Sequence, residues 1–482
     1  MIRIYLDWSV ISCLKKDEYE ELLEFIKSHK EKLLFPYTPA HFNDLMRSYT
    51  PENDLFFKDL EQLEWLSGHH LLELVNDDWS ISVKSPREYF EELKTDKPLS
   101  PIEMIQKLQL DAENDDFGMW NFGKLIKMIS EKKPSGITIT DENWELLNIL
   151  FPGIHKNSSQ WDLMKAVVPF ATKLESEKEF YKDFRKTINE QGLKLKTDSG
   201  SWKPEEVFKN IDAFFKKMGT NMTFKRYVEM TVSSSKGDQA TKYDYFTNAY
   251  LMLDLIGFKQ EKLPKDTNNL QNIRTDVDHA FYASTCDYFV VMDKALTIKT
   301  KVLYSEFKIE AKVIAPGNLI KVLTERFHNQ NSIGTFINDS LGMLIEENLT
   351  EEYITSFEPD IEVDTCIYKL PVFYFDFFTY VNVLKYPEQN TLVLEFFRPY
   401  STHYFFSYYT EIQWLTDRIL NFFGYQYESQ LEEKKNNFIY NTKEQSFLWK
   451  FGFGVVQLLR DPENDEPKLI YVVKKDPDNG NL

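Results

Sequence analysis

The hydrophobic positions of the first fifty residues change period twice. IRIYL at 2–6 mixes alternating and β-branched residues, the pattern of a short strand, and delivers Asp7 at its carboxyl end. DEYEELLEFIKSHKEK at 17–32 sets Leu22, Leu23, Phe25 and Ile26 at helical spacing among charges. LLFPYT at 33–38 predicts a second strand, after which Thr38 can cap a helix and Pro39 suits its first turn. Strand, helix, strand, helix is the opening of a parallel α/β sheet.

From about 51 to 240 the pattern is mostly that of amphipathic helices, as at 161–191 and 204–219, separated by polar breaks at 130–136 and 196–204. No fixed period recurs, which weighs against a solenoid. KYDYFTNAYLMLDLIGF at 242–258 predicts a helix stopped at Gly257. After a polar connector, DVDHAFYAST reads as helix, YFVVM as strand, KALTIKTKVLYSEFK as helix and KVIAP as strand. The alternation has resumed, so one sheet domain is split by an insertion, since parallel sheets accept insertions in their loops. The expected organisation is a parallel-sheet, Rossmann-like domain at 1–50 and 241–325, a helical insertion at 51–240, and an aromatic-rich α+β domain at 326–482.

Composition fits this plan. At 482 residues the chain exceeds one ordinary core, and 42% hydrophobic residues with 38 Phe and 26 Tyr supply apolar material for several. Against 57 Lys and Arg stand 76 Asp and Glu, a net charge of −19. Such a chain does not coat nucleic acid through its overall field; a polyanion must meet a local basic patch or a bound cation. Cys13, Cys286 and Cys366 are widely spaced, which disfavours a disulfide framework or a cysteine zinc site. The apolar run at 370–384 is broken by Asp376 and too short to span a bilayer, and the first residues do not read as a signal peptide. The expectation is a soluble, cytoplasmic protein.

Four acids mark the chemistry. In an open parallel sheet the reactive edge lies at the carboxyl ends of the strands. Asp7 ends the first strand, Asp44 lies in the helix after the second, Asp276 precedes YFVVM, and Asp293 follows it. Like charges brought together raise one another's pKa, and a divalent cation removes that cost. Mg²⁺ or Mn²⁺ suits carboxylate and water oxygens and can promote phosphodiester hydrolysis.

YLDWS, an acid in the helix after the second strand, and DVDHAFYAS followed by CDYFVVMD together resemble a PIN-domain nuclease. The resemblance covers roughly 1–50 and 240–320. It implies a PIN-like fold holding Mg²⁺ or Mn²⁺ on Asp7, Asp44, Asp276 and Asp293, and RNA, less often DNA, as substrate. Asp7 matches the first aspartate of the family, Asp276 the third acid and Asp293 the fourth; Asp44 stands where glutamate is usual. Ser9 replaces a common Asn, and Val291 replaces a Thr or Ser before the last acid. The implied role is a regulated stress or antiviral effector, with room for a regulatory protein partner or a homo-oligomer.

Each position also has a plain structural reading. Asp7 can be a turn residue, Asp44 an exposed helix carboxylate, and Asp276, Asp278 or Asp293 a helix N-cap. His279 can position a phosphate or water, or be a satisfied packed group, and His41 invites the same pair of readings. His69 and His70 are adjacent and do not suggest a zinc site. Lys294, Lys299 and Lys301 flank the acidic edge and could meet phosphates, as could the mixed basic and aromatic run at 178–196. The competing function is a PIN-like module without catalysis, serving as an RNA-binding or protein-interaction scaffold; Val291 favours it. An aspartyl phosphatase would need an aspartate where Ser9 stands, and no P-loop motif follows a strand.

Overall fold

The structure, a computed structural model, describes residues 1–75, 78–95, 157–176, 202–217, 222–236, 240–259, 270–327, 332–342, 351–353, 357–358, 361–362, 364–399, 409–425, 431–440, 446–452, 454–461 and 465–474, with isolated positions between 106 and 195. It contains two compact units: residues 1–86 with 279–482, and residues 87–278.

The first unit begins β1 (Ile2–Leu6), α1 (Trp8–Cys13), α2 (Glu20–Ser28), β2 (Leu33–Leu34), α3 (Pro39–Leu45), α4 (Asp54–Ser67), β3 (His70–Val75) and β4 (Asp78–Val83). The second contains α5 (Pro86–Thr95, from its second residue), α6 (Gln160–Ser176), α7 (Val207–Lys217), α8 (Phe224–Lys236), α9 (Lys242–Leu255) and most of α10 (Leu270–Ala283). The first unit then resumes with β5 (Tyr288–Val290), α11 (Lys294–Glu306), β6 (Lys312–Ile314), α12 (Pro316–Arg326) and α13 (Ile333–Gly342).

β1 is buried along its whole length, as expected of a strand covered on both faces. It pairs in parallel with β2 through Ile2 and Leu33, and with β5 through Leu6 and Val290. β6 lies parallel outside β5, giving the order β2-β1-β5-β6. The chain first adds a strand on one side of β1 and then, after the second unit, on the other. The direction of winding therefore reverses at the β1–β5 boundary, where ligands lodge in open parallel sheets. Asp7 continues the pairing there, its N–H donating to the Val290 carbonyl at 2.9 Å.

Two local expectations change. The stretch after residue 51 is not purely helical: α4 leads into the antiparallel β3–β4 hairpin, where alternating Leu and Ile residues overrule a helical reading. YFVVM contributes only Tyr288–Val290 as strand, although the Val291 N–H still bonds the Ile314 carbonyl at 3.1 Å. The strand stops because Asp293 accepts from the Leu296 N–H at 2.7 Å and starts α11.

The remaining chain of the first unit forms a separate antiparallel β domain. β7 (Glu351–Tyr353), β8 (Phe357–Glu358), β9 (Ile361–Glu362), β10 (Asp364–Tyr374), β11 (Phe378–Tyr386) and β12 (Thr391–Phe397) precede α14 (Tyr409–Phe423) and α15 (Leu431–Tyr440). β13 (Ser446–Phe451), β14 (Gly454–Arg460) and β15 (Pro467–Lys474) follow. The seven-stranded sheet has the order β13-β14-β15-β12-β11-β10-β7. Ile412, Leu415, Ile419 and Phe423, one face of α14, pack with Phe396, Phe447 and Tyr471. α14 is tied to β1 by the buried Arg3–Glu411 ion pair, 2.7 Å.

Within the second unit, among the described residues, the elements are helical. Val207, Ile211 and Phe215 of α7 and Val228 and Val232 of α8 are buried at four-residue spacing. Thr241 and Asp244 form a capping box at the start of α9. Among the described residues no helix is long and apolar enough to cross a membrane.

Candidate active site

Polar side chains collect at the carboxyl end of β1, where the alternating strand sends Tyr5 inward and Asp7 into the turn toward α1. Asp7 is 7% exposed. It caps α1 by accepting from the Ser9 N–H at 3.3 Å, and the Ser9 hydroxyl donates to the same oxygen, Oδ2. The other oxygen, Oδ1, lies 4.0 Å from His279 Nε2. No lysine or arginine pairs with Asp7 among the described residues. Burial raises its pKa, and Asp44 adds to the rise, while His279 and Ser9 pull against it.

Asp44 reaches the same place from α3. Its Oδ2 accepts from His279 Nε2 at 3.0 Å, and its Oδ1 pairs with Arg47 at 3.0 Å. Burial by itself would raise the Asp44 pKa, but the hydrogen bond and charge of His279, then Arg47, bring it below the ordinary value. The two carboxylates thus share one imidazole but differ in electrostatic setting, with Asp44 neutralised and Asp7 left costly.

His279, fully buried on α10, is held at both nitrogens: Nε2 donates to Asp44, and Nδ1 lies 2.8 Å from the Tyr5 hydroxyl. Tyr5 is in turn 2.7 Å from Thr38 Oγ1. Thr38 and His41 close the start of α3. The Thr38 N–H donates to His41 Nδ1 at 3.0 Å, and His41 Nε2 donates to the Leu6 carbonyl at 2.9 Å. Those two bonds require a neutral ring, and burial, then His279, push the His41 pKa down to about 3. A continuous polar chain runs Asp44–His279–Tyr5–Thr38–His41. Both histidines are satisfied internal groups whose visible work is to hold the acids in position.

Asp293 stands at the carboxyl end of the strand next to β1, exposed, with its carboxylate engaged in capping α11. Lys294 and Lys301 are exposed on α11, whereas Lys299 is fully buried and is not available to a phosphate. Asp276 and Asp278 belong to the second unit's part of α10, both half-buried. Neither is an N-cap, because the helix begins six residues before Asp276. Asp278 accepts from the Tyr243 hydroxyl at 2.5 Å. Val291 is buried. Most of the run at 178–196 lies outside the described residues.

The structure therefore brings together Asp7, Ser9, Asp44, His41 and His279. Sequence reading missed Tyr5, Thr38 as a network member, and Arg47. An inward tyrosine two residues before the strand-end aspartate was the available signal for Tyr5; Arg47, one turn after Asp44, was the signal for the third. Among the described residues no group of three His, Cys, Asp or Glu side chains is arranged to hold a metal ion. No family model matches the chain, and no curated protein or solved structure matches it either.

Proposed function

We propose that the chain is a metal-dependent endonuclease of the PIN-like class that hydrolyses RNA phosphodiester bonds. The observation that carries the reading is Asp7, a buried carboxylate with no lysine or arginine partner among the described residues, set where the parallel sheet reverses its winding and within reach of the imidazole that binds Asp44. A buried acid whose pKa stays raised despite its Ser9 hydrogen bonds costs stability at neutral pH, and perturbed acids of this kind cluster at functional sites.

Two carboxylates fit Mg²⁺ or Mn²⁺, because these ions keep several waters and take further oxygens from a substrate phosphate. When bound by Asp7 and Asp44, the ion would act as a Lewis acid for attack of water on phosphorus. The residues of the chain have separate tasks. Ser9 fixes Asp7 Oδ2 and leaves Oδ1 on the side of His279. His279 and Arg47 orient Asp44, and Tyr5 holds His279 from behind. In the reaction water adds to phosphorus, the bond to one ester oxygen breaks, and that oxygen leaves with a proton. Asp293 is the further acid that the first unit contributes to the proposal.

Labelled tRNA, bulk RNA and single- and double-stranded DNA incubated with the protein in Mn²⁺ test it. RNA fragments are expected, and they should vanish with EDTA and in Asp7→Asn. Fragments that persist in either control would place the activity elsewhere.

A second reading, a PIN-like scaffold that binds RNA or protein without cutting, is favoured by two observations. Asp44 is already neutralised by His279 and Arg47, and buried Val291 offers no hydroxyl. A Mn²⁺ titration separates the two, since a scaffold lacking the site shows no metal-linked rise in melting temperature.

A further inference from the structure

The opposite edge of the parallel sheet carries a different charge. At the amino ends of the strands the Asp287 N–H donates to the Arg3 carbonyl, and the Lys312 N–H donates to the Asp287 carbonyl, both at 2.9 Å. Beside this row, between the parallel sheet and β10, lies a cavity of about 70 Å³. Its walls include Arg3, Lys312, Arg326, Lys369 and Arg398, against only Asp287 and Glu310 as acids. In a chain of net charge −19 this is an inversion of the overall field.

Most of these cations are accounted for. Arg3 and Arg398 are balanced by Glu411 and Asp287. Lys369 is balanced by Glu310 at 2.8 Å. Lys312 and Arg326 remain, and among the described residues no carboxylate stands within ion-pair distance of either. Arg326 is nevertheless held firmly: Nη1 donates to the carbonyls of Leu370 and Pro371, and the guanidinium lies 5.0 Å from the Phe373 ring centre. Its Nε is buried without a hydrogen-bond partner. Desolvation, and then the positive charges of Arg326 and Lys369, draw the Lys312 ammonium below its ordinary range.

We infer that this cavity binds a phosphate dianion, either free or as the terminal group of a phosphate monoester. The charges close, since two unneutralised cations meet a group that carries about −1.5 to −2 at neutral pH. The space is sufficient as well: about 70 Å³ open to the centre of a water-sized sphere, where one water needs about 10–15 Å³, leaves room for a tetrahedral oxyanion. Arg326 supplies a planar, pre-positioned donor and Lys312 a mobile point charge, the usual division of labour in phosphate recognition. The site is separate from the acidic one. Arg3 and Asp7 are four residues apart on one strand, roughly 13 Å at about 3.3 Å per residue. A phosphate held here is not the one that would be cut at Asp7, and the inference stands whether or not the chain is a nuclease.

Equilibrium dialysis of the full chain against radiolabelled inorganic phosphate, at constant ionic strength in chloride with EDTA present, tests the site. Saturable binding at one site per chain is expected, weakened at least tenfold by Lys312→Gln and unchanged by Asp7→Asn or by Lys321→Gln on the exposed face of α12. Competition by 5′-AMP would assign the site to monoesters, and its absence to the free anion. If Lys312→Gln fails to fold by circular dichroism, Lys369→Gln decides, since it leaves Glu310 to repel the anion. Absence of saturable binding to the wild-type chain, or wild-type affinity in the folded cavity variant, overturns the inference.

Discussion

Asp7 concentrates the tension in the molecule. Its pKa is raised by burial, so the folded chain binds a proton there more tightly than the unfolded chain. Its favourable contribution is full below the unfolded pKa and is lost as pH rises through the folded one. Asp7→Asn keeps a side chain that caps helices well, and it should raise the melting temperature at pH 7 by about 1–3 °C. At pH 3 the gain should disappear; a loss of stability at pH 7 would refute the assignment of Asp7 as a strained acid. Asp44 has the opposite sign. Its pKa is lowered, so its contribution is present above the unfolded pKa and is lost as pH falls through the folded one. His279→Phe fills the same space but removes the bond to Asp44 and leaves the Tyr5 hydroxyl with Thr38 alone. Urea titration should show a loss of about 1–3 kcal/mol, the usual cost of dismantling a buried hydrogen-bonded group.

Among the elements, α14 and β1 are joined by charge in an otherwise apolar setting. Glu411 is fully buried; burial opposes its charge, yet the charge and hydrogen bonds of Arg3, with a smaller pull from Arg398 among others, hold its pKa down to about 2. Glu411→Gln strands Arg3 and Arg398 beside a neutral amide and should cost about 3–5 kcal/mol by chemical denaturation. The stabilisation from Glu411 is present above about 4.5 and is lost as pH falls toward 2, so wild type and variant should converge in acid. A variant of wild-type stability at pH 7 would mean that the ion pair does not bind the helix to the strand. The β13–β14 hairpin offers a steric test. Gly454 has φ of +151° and faces the Val472 carbonyl so closely that a Cβ has no room. Gly454→Ala should destabilise by about 1–3 kcal/mol through strain.

At the scale of the whole molecule, net charge decides how a polyanion is met. With −19 overall, an RNA chain gains little from the general field, so few phosphates should be neutralised by side chains. The logarithm of RNA affinity against the logarithm of salt should fall with a slope no steeper than about −2 at fixed Mn²⁺. A slope near −6 measured by filter binding would reveal an extensive basic surface and remove the need for a bridging cation.

How much of this was legible beforehand follows from the range of the forces involved. IRIYL, YFVV and KVI are local patterns, and so are Thr38 before Pro39 and Asp293 before its helix; one neighbourhood of the chain contains all the physics of such strands and caps. The sequence by itself therefore determined a parallel α/β sheet, interrupted by helices, that delivers Asp7 to a carboxyl edge. It did not determine that His279 would stand between Asp7 and Asp44 rather than face a substrate, because that depends on helices more than two hundred residues apart meeting on one strand. Nor did it reveal that Lys299 points inward while Lys312 and Arg326 share a cavity, since a lysine reads alike on either face. Burial and pairing of charge are properties of three-dimensional neighbours, and only the tertiary structure decided which acids are neutralised, which is left costly, and where positive charge outlasts its partners.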